Sequence, residues 1–203
     1  MNKHISIIGP SGVGKTTLVN TLSKAGYFTV ALEQHTERPF QALAHKNPQY
    51  IFANQMDYLI LRAKQERELR TSSKIGLMDG GLDLDFHGFT RLFLSRNLLS
   101  QKEYDLCKRF YQLTRELLPL PELIVSLKAD EKTVTDRLSR RKRINIANAN
   151  DTSLFNSYVD EWLTTVPSDQ ILELNVSKET PDYAQSVNII LDTIKKKFQL
   201  EST

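Results

Sequence analysis

The 203-residue chain has one cysteine, Cys107, one tryptophan and three methionines. A single thiol cannot build a disulfide framework, which excludes the stapled extracellular scaffolds and fits a reducing compartment. Neither sign of charge dominates: 27 Lys and Arg stand against 24 Asp and Glu. Bulk charge therefore gives no argument for a nucleic-acid partner. No apolar run approaches the roughly 20 residues of a membrane span, and the first strand begins almost at Met1, leaving no room for a signal peptide. These absences predict a cytoplasmic protein with neither membrane nor nucleic acid as a partner. Repeats, low-complexity tracts and linkers are also missing, so the length predicts one domain over residues 1–203. No Asn-Lys-x-Asp guanine signature occurs. His35 and His87 lack metal-ligand spacing with a Cys or a second His.

Against these absences stands Gly9-Pro10-Ser11-Gly12-Val13-Gly14-Lys15-Thr16-Thr17, which reads G-x-x-x-x-G-K-T, the phosphate-binding P-loop. Backbone N–H groups of such a loop converge on one anion, Lys15 would reach the outer phosphates of ATP, and the Thr16 hydroxyl would ligate Mg²⁺. The context agrees. The β-branched run His4-Ile5-Ser6-Ile7-Ile8 predicts a buried strand before the loop, and Leu18, Leu22 and Ala25 fall at helical spacing after it. Gly26 suits the C-terminal cap of that helix.

Strands and helices alternate along the rest of the chain, which predicts an α/β fold with a five-stranded parallel sheet flanked by helices. The strands fall at about 3–8, 27–32, 75–78 (ending at Asp79), 123–127 and 171–174. A long helix is expected at about 49–70, a pair within 82–118, and others at about 131–140, 151–164 and 182–198. Ligands of such sheets bind beyond the carboxyl ends of the strands, which gathers Gly9, Glu33, Asp79 and the segment after Leu127 into one cleft.

Several side chains there carry candidate chemistry. Glu33 closes the second strand; it is either a base for a substrate hydroxyl or a solvated loop acid. Asp79 ends the third strand, where a second Mg²⁺-site carboxylate belongs, though it could also cap a helix. Gln55 and Arg62, seven residues apart, share a helix face beside the apolar stripe of Phe52, Met56, Leu59 and Ala63; they line a pocket or form an ordinary helix edge. Arg137, Arg140, Arg141, Lys142 and Arg143 crowd five cations into seven residues. They suit a lid over phosphates at about 140–151, and equally a solvated helix end or an RNA-binding patch. Cys107, Tyr158 and Trp162 are expected in the core.

Taken together, these residues resemble the deoxynucleoside kinase family from Ile5 to about Trp162. The resemblance implies Glu33 as catalytic base, Gln55, Arg62 and Asp85 as readers of the nucleobase, and Arg137-Leu138-Ser139-Arg140-Arg141-Lys142-Arg143 as the lid. In that reading Lys15, Arg141 and Arg143 act on the transferring phosphoryl group. Residues 9–17 and Arg137 hold ATP, and Thr16 and Asp79 hold Mg²⁺. Tyr158-Val159-Asp160-Glu161-Trp162-Leu163 resembles the family's Tyr-x-x-x-Trp-Leu helix. Two departures stand out. Gly80-Gly81 replaces the family's Arg-Ser after the acid, and the glutamates past the lid are absent from Ile144-Asn145-Ile146-Ala147-Asn148.

The implied function is ATP-dependent phosphorylation of the 5′-hydroxyl of a small acceptor, most simply a deoxynucleoside, with a homodimer as the assembly such relatives form. Two alternatives are a nucleoside monophosphate kinase of the thymidylate type, which wants an Asp-Arg pair where Asp79-Gly80 stands, and a non-catalytic ATP-binding regulatory module.

Overall fold

The computed structural model describes residues 2–32, 38–139 and 151–199. Its centre is the expected parallel sheet of β1 (His4–Ile8), β2 (Phe28–Ala31), β3 (Ile75–Asp79), β4 (Leu123–Lys128) and β5 (Ile171–Asn175), in the order β2-β3-β1-β4-β5. The connection out of β1 runs to one side of the sheet, and the connection out of β3 crosses β1 to reach β4 on the other. Such a reversal of direction is where α/β sheets bind their ligands.

Strand alternation sorts the two faces. Ile5 and Ile7 of β1 join Leu77 and Val125 against Leu18 and Leu22 of α1 (Lys15–Ser23) and Ile190 and Ile194 of α9 (Ala184–Phe198). Ile8 turns to the other face, where Ile124 meets Phe155, Val159 and Trp162 of α8 (Thr152–Leu163). Trp162 is core as expected. Tyr158 is only half-buried, because the Arg91 guanidinium lies over its ring, 4.3 Å from the centroid.

The long helix is α3 (Ile51–Thr71), preceded by α2 (Gln41–Lys46) and a short turn of 3₁₀ helix at Pro48–Tyr50. The pair expected within 82–118 is a more broken run. A single turn, α4 (Leu82–Leu84), passes into a π-helical segment at Asp85–Thr90, then into α5 (Arg91–Ser95). A reciprocal capping box between Ser100 and Glu103 then starts α6 (Gln101–Leu117). Helix α7 (Glu131–Ser139) follows β4. Cys107 is fully buried with its Sγ 3.6 Å from Met56 Sδ, and burial pushes its thiol up to about 12.

His4, on the face of β1 that carries Ile8, opens onto a buried ionic network. Glu66 accepts from Arg70 Nε at 3.2 Å and from Arg115 Nη2 at 2.5 Å, and His4 Nδ1 stands 3.5 Å away. Burial works against the charged form of Glu66, but hydrogen bonds with His4 and Arg115 outweigh it and hold the carboxyl far below the usual carboxylate range. Arg115 Nε also lies 3.1 Å from Asp83, which accepts from Tyr111 at 2.8 Å. Tyr111 in turn meets His87 Nε2 at 3.0 Å, and His87 stacks on Trp162. This network ties α3, α6 and the π-helical segment into one rigid wall.

Candidate active site

The loop between β1 and α1 wraps over the carboxyl end of β1 and is held from behind. Tyr183, at the start of α9, donates to Val13 O at 3.2 Å. A Cβ on Gly14, whose φ is +109°, would stand 1.7 Å from that tyrosine oxygen, so only glycine fits. On Gly12 a Cβ would meet Leu138 Cγ of α7 at 2.8 Å. Arg137 Nη1 donates to Val13 O at 2.6 Å and Nη2 to Val176 O at 3.2 Å. Arg137 therefore spends its guanidinium bracing the loop and the end of β5. Lys15 donates from Nζ to Gly9 O at 2.9 Å and to Pro10 O at 3.1 Å, which lays its ammonium along the loop's own backbone.

Thr16 and Asp79 are brought together. The Thr16 hydroxyl donates to Asp79 Oδ2 at 2.5 Å, while Asp79 Oδ1 is buried and accepts from no described residue. A buried carboxylate oxygen without a donor, beside the P-loop hydroxyl, is a donor set suited to a hard divalent cation.

A second cluster is built from side chains on α3. Gln55 and Arg62 are 3 % and 1 % exposed, deeper than the half-buried Phe52 and Met56 of the stripe beside them. Arg62 Nε donates to Asp85 Oδ2 at 2.9 Å, and its Nη1 to Gln65 Oε1 at 3.1 Å. Gln65 Nε2 reaches Leu32 O at the end of β2 at 3.1 Å. The Gln55 amide donates to Asp85 O at 3.0 Å and to Thr90 Oγ1 at 2.9 Å. Gln55, Arg62 and Asp85, separate in sequence, thus form one hydrogen-bonded group.

The two clusters meet at Gly80. Its N–H donates to Ile7 O at 2.9 Å, two residues before the P-loop begins, and a Cβ on it would lie 3.2 Å from Arg62 Nη2. Thr16 bonded to Asp79, and Gly80 next in the chain with Arg62 bordering the space its missing side chain would fill, form a line that continues through Asp85 to Gln55. Glu33, Arg141 and Arg143 lie outside the described residues, as does the lid region from 140 to 150.

Sequence reasoning missed Tyr183, Gln65 and Thr90. Thr90 returns to Asp85 because the π-helical turn closes over five residues: its hydroxyl donates to Asp85 O at 2.9 Å. No helical or strand periodicity predicts that contact. His87, half-buried between Tyr111 and Trp162, has its pKa lowered to about 3, by desolvation first and by the Arg91 and Arg115 charges second.

Comparison with known proteins gives this arrangement a family. The deoxynucleoside kinase family model matches residues 5–199. The chain is 29 % identical over 140 residues to a deoxyguanosine kinase of Bacillus subtilis strain 168, a match covering 68 % of this chain and 67 % of that protein. It is 23 % identical over 145 residues to a deoxyadenosine/deoxycytidine kinase of the same organism, covering 70 % and 67 %. Among solved structures, deoxyadenosine kinase from M. mycoides with bound dCTP superposes with a TM-score of 0.78 at 20 % identity, covering 95 % of this chain and 99 % of the other. The same enzyme with bound dATP gives 0.77 at 21 % identity. The chain belongs to the deoxynucleoside kinase family, enzymes that phosphorylate a nucleoside at the expense of ATP.

Proposed function

We propose that this chain moves the γ-phosphoryl group of ATP to the 5′-hydroxyl of a deoxynucleoside whose base lies against α3 and the π-helical segment. The observation that carries the reading is the line from Thr16 to Gln55. It supports a reading in which the loop at the end of β1 and the buried polar cluster on α3 serve one cavity, so that donor and acceptor can meet.

Residues 9–17 would cradle the phosphates with backbone N–H groups, and Lys15 would swing from its loop carbonyls to the outer phosphates. Thr16 and Asp79 would hold Mg²⁺, which neutralises charge on the phosphate oxygens when bound. Glu33 would take the proton of the 5′-hydroxyl, and Arg141 and Arg143 would stabilise charge on the transferring group; these three roles rest on the family resemblance. Arg137 would act from behind the loop, fixing Val13 rather than touching phosphate. Gln55, Arg62 and Asp85 would read the base.

Gly80-Gly81 gives the acceptor side no cation after Asp79, and Arg62 Nη2 lies beside the space a side chain at 80 would fill. Arg62, bonded to Asp85 and Gln65, borders that corner of the pocket in this reading. The test is a panel of deoxynucleosides and deoxynucleoside monophosphates with γ-labelled ATP. Labelled 5′-monophosphates are expected. Labelled diphosphates would favour a monophosphate kinase, and tight ATP binding without any transfer would favour a regulatory module.

A further inference from the structure

Strand β2 lies at the edge of the sheet, and its register with β3 ends at the pair Ala31 and Met78. Leu32 is one residue past that pair, where the chain leaves the ladder. Its carbonyl is caught from α3: Gln65 Nε2 donates to Leu32 O at 3.1 Å. Gln65 is itself buried and held at its other end, where Oε1 accepts from Arg62 Nη1 at 3.1 Å. A guanidinium only donates and a backbone carbonyl only accepts, so these two partners set the amide in one orientation. Arg62 in turn donates to Asp85 at 2.9 Å. A relay of side chains therefore joins Asp85 to the end of β2.

The far side of the same connection is also tied to α3. Arg38 donates from Nε to Asp57 Oδ2 at 2.6 Å, and its Nη2 bonds Asp57 Oδ1. Asp57 and Gln65 are roughly 12 Å apart along the helix axis, at 1.5 Å rise per residue. Residues 33–37 run between Leu32 and Arg38, so α3 grips this connection at both ends. The Arg38–Asp57 grip is a partly exposed ion pair. The Gln65 grip is buried and continuous with the Arg62–Asp85 pair.

We propose that Gln65 is a positioning residue for phosphoryl transfer, pinning the end of β2, and with it the start of the segment that bears Glu33, to the buried Arg62–Asp85 pair. The role rests on the proposed function and on Glu33 as its base. In that reaction the nucleoside oxygen bonds to the γ-phosphorus, the bond to ADP breaks, and the hydroxyl proton passes to the Glu33 carboxylate. Such a transfer needs the carboxylate within hydrogen-bond reach, and a displacement of about 1 Å can cost about 10²-fold in rate. Past the last pair of an edge strand the ladder no longer fixes the chain to that tolerance; a buried side chain with two partners can.

A double-mutant cycle isolates the role. Turnover of a deoxynucleoside with γ-labelled ATP is measured in the unaltered full-length enzyme, in Gln65→Met, in Glu33→Gln and in the double variant. Gln65→Met keeps the volume and removes both hydrogen bonds. It is expected to lower kcat by about 10- to 10²-fold, with KM for ATP within about twofold. Glu33→Gln is expected to lose about 10²–10⁴-fold and to keep measurable turnover. Adding Gln65→Met to it should then cost less than about twofold, because a residue that acts through Glu33 has nothing left to position. General damage to the fold would cost both backgrounds alike. Gln65→Glu gives a second readout: it keeps an oxygen for Arg62 and offers no N–H to Leu32 O. Its kcat should fall while KM for the nucleoside stays within about threefold. It also takes the place of Gln65→Met in the cycle should that variant not fold.

Equal losses in both Glu33 backgrounds would overturn the inference. So would an undiminished kcat in Gln65→Met, full turnover in Glu33→Gln, or a Gln65→Glu effect confined to the nucleoside KM. Each of these leaves nucleoside phosphorylation standing. No transfer to any nucleoside by the unaltered enzyme would instead remove the proposed function beneath it.

Discussion

The two halves of the proposed site, donor and acceptor, are built from different materials. The donor half is backbone: glycines, carbonyls and N–H groups around Lys15, braced by Tyr183 and Arg137 from behind. The acceptor half is side chain: Gln55, Arg62, Gln65, Asp85 and Thr90, held by one another across 3 to 35 residues of sequence. A backbone site is fixed by local geometry and tolerates no Cβ at its tight points. A side-chain site is fixed by partners, so that one altered partner changes what it recognises while the loop beside it stays intact.

The sharpest way to break this comparison is on the donor side. Gly14→Ala would drive a methyl group into Tyr183 and is expected to abolish ATP binding, measured by calorimetry. Lys15→Ala should leave the fold intact and lower kcat by about 10²–10³-fold, the loss typical of one charge-stabilising group. A Lys15→Ala enzyme with normal kcat would contradict the phosphate role of the loop.

On the acceptor side the first effect is on stability. Arg62→Ala leaves Asp85 buried without its 2.9 Å partner, and urea unfolding should register a loss of about 3–5 kcal/mol. ATP affinity of the folded fraction should stay near that of the unaltered enzyme. A loss below about 1 kcal/mol, the size seen for solvated pairs, would show that the pair is not truly buried.

A smaller effect concerns pH. In the unfolded chain His87 binds its proton near 6.5, whereas in the fold it stays neutral down to about 3. Between these values the unfolded state holds more protons, so stability falls as pH drops from about 6.5 toward 3. Glu66 adds a loss in the same direction only below its ordinary value of 4.5, because its folded pKa is depressed. The window from 6.5 to 4.5 therefore separates the two. His87→Phe should flatten the melting temperature there, and an unchanged slope would assign the loss to other groups. Least of all should Cys107 respond: it is buried with its thiol pushed up to about 12, so alkylation at pH 8 should need unfolding. Rapid labelling of the native enzyme would place it at the surface.

The same contrast explains what could be read in advance. The loop was legible because glycine and lysine at fixed offsets between a strand and a helix leave few other structures open. The sheet was legible because buried parallel strands are short apolar runs, and β1, β3 and β4 each show one. Helix α3 hid its inner side. Its deepest residues include Gln55, Arg62, Glu66 and Arg70, so hydrophobic periodicity pointed to the Phe52–Met56 stripe, which packs against α6 and the π-helical segment. Spacing placed Gln55 and Arg62 on one face, but their depth depends on Asp85 and Thr90, brought near by the path of the chain. Thr90 was invisible because a five-residue π turn, rather than an α turn, carries its hydroxyl to Asp85. Tyr183, and the bonds by which Arg137 braces the loop, were not legible because bracing a loop through its carbonyls leaves no pattern in sequence.

The most direct measurement is the pair of Michaelis constants, for ATP and for the best deoxynucleoside, in the unaltered enzyme and in Gln55→Ala. The account predicts labelled 5′-monophosphate from both, with KM for the nucleoside raised at least about tenfold and KM for ATP within about twofold. Equal increases in both constants, or a nucleoside KM untouched by the loss of the amide, would contradict the division of the site into a backbone-built donor half and a side-chain-built acceptor half.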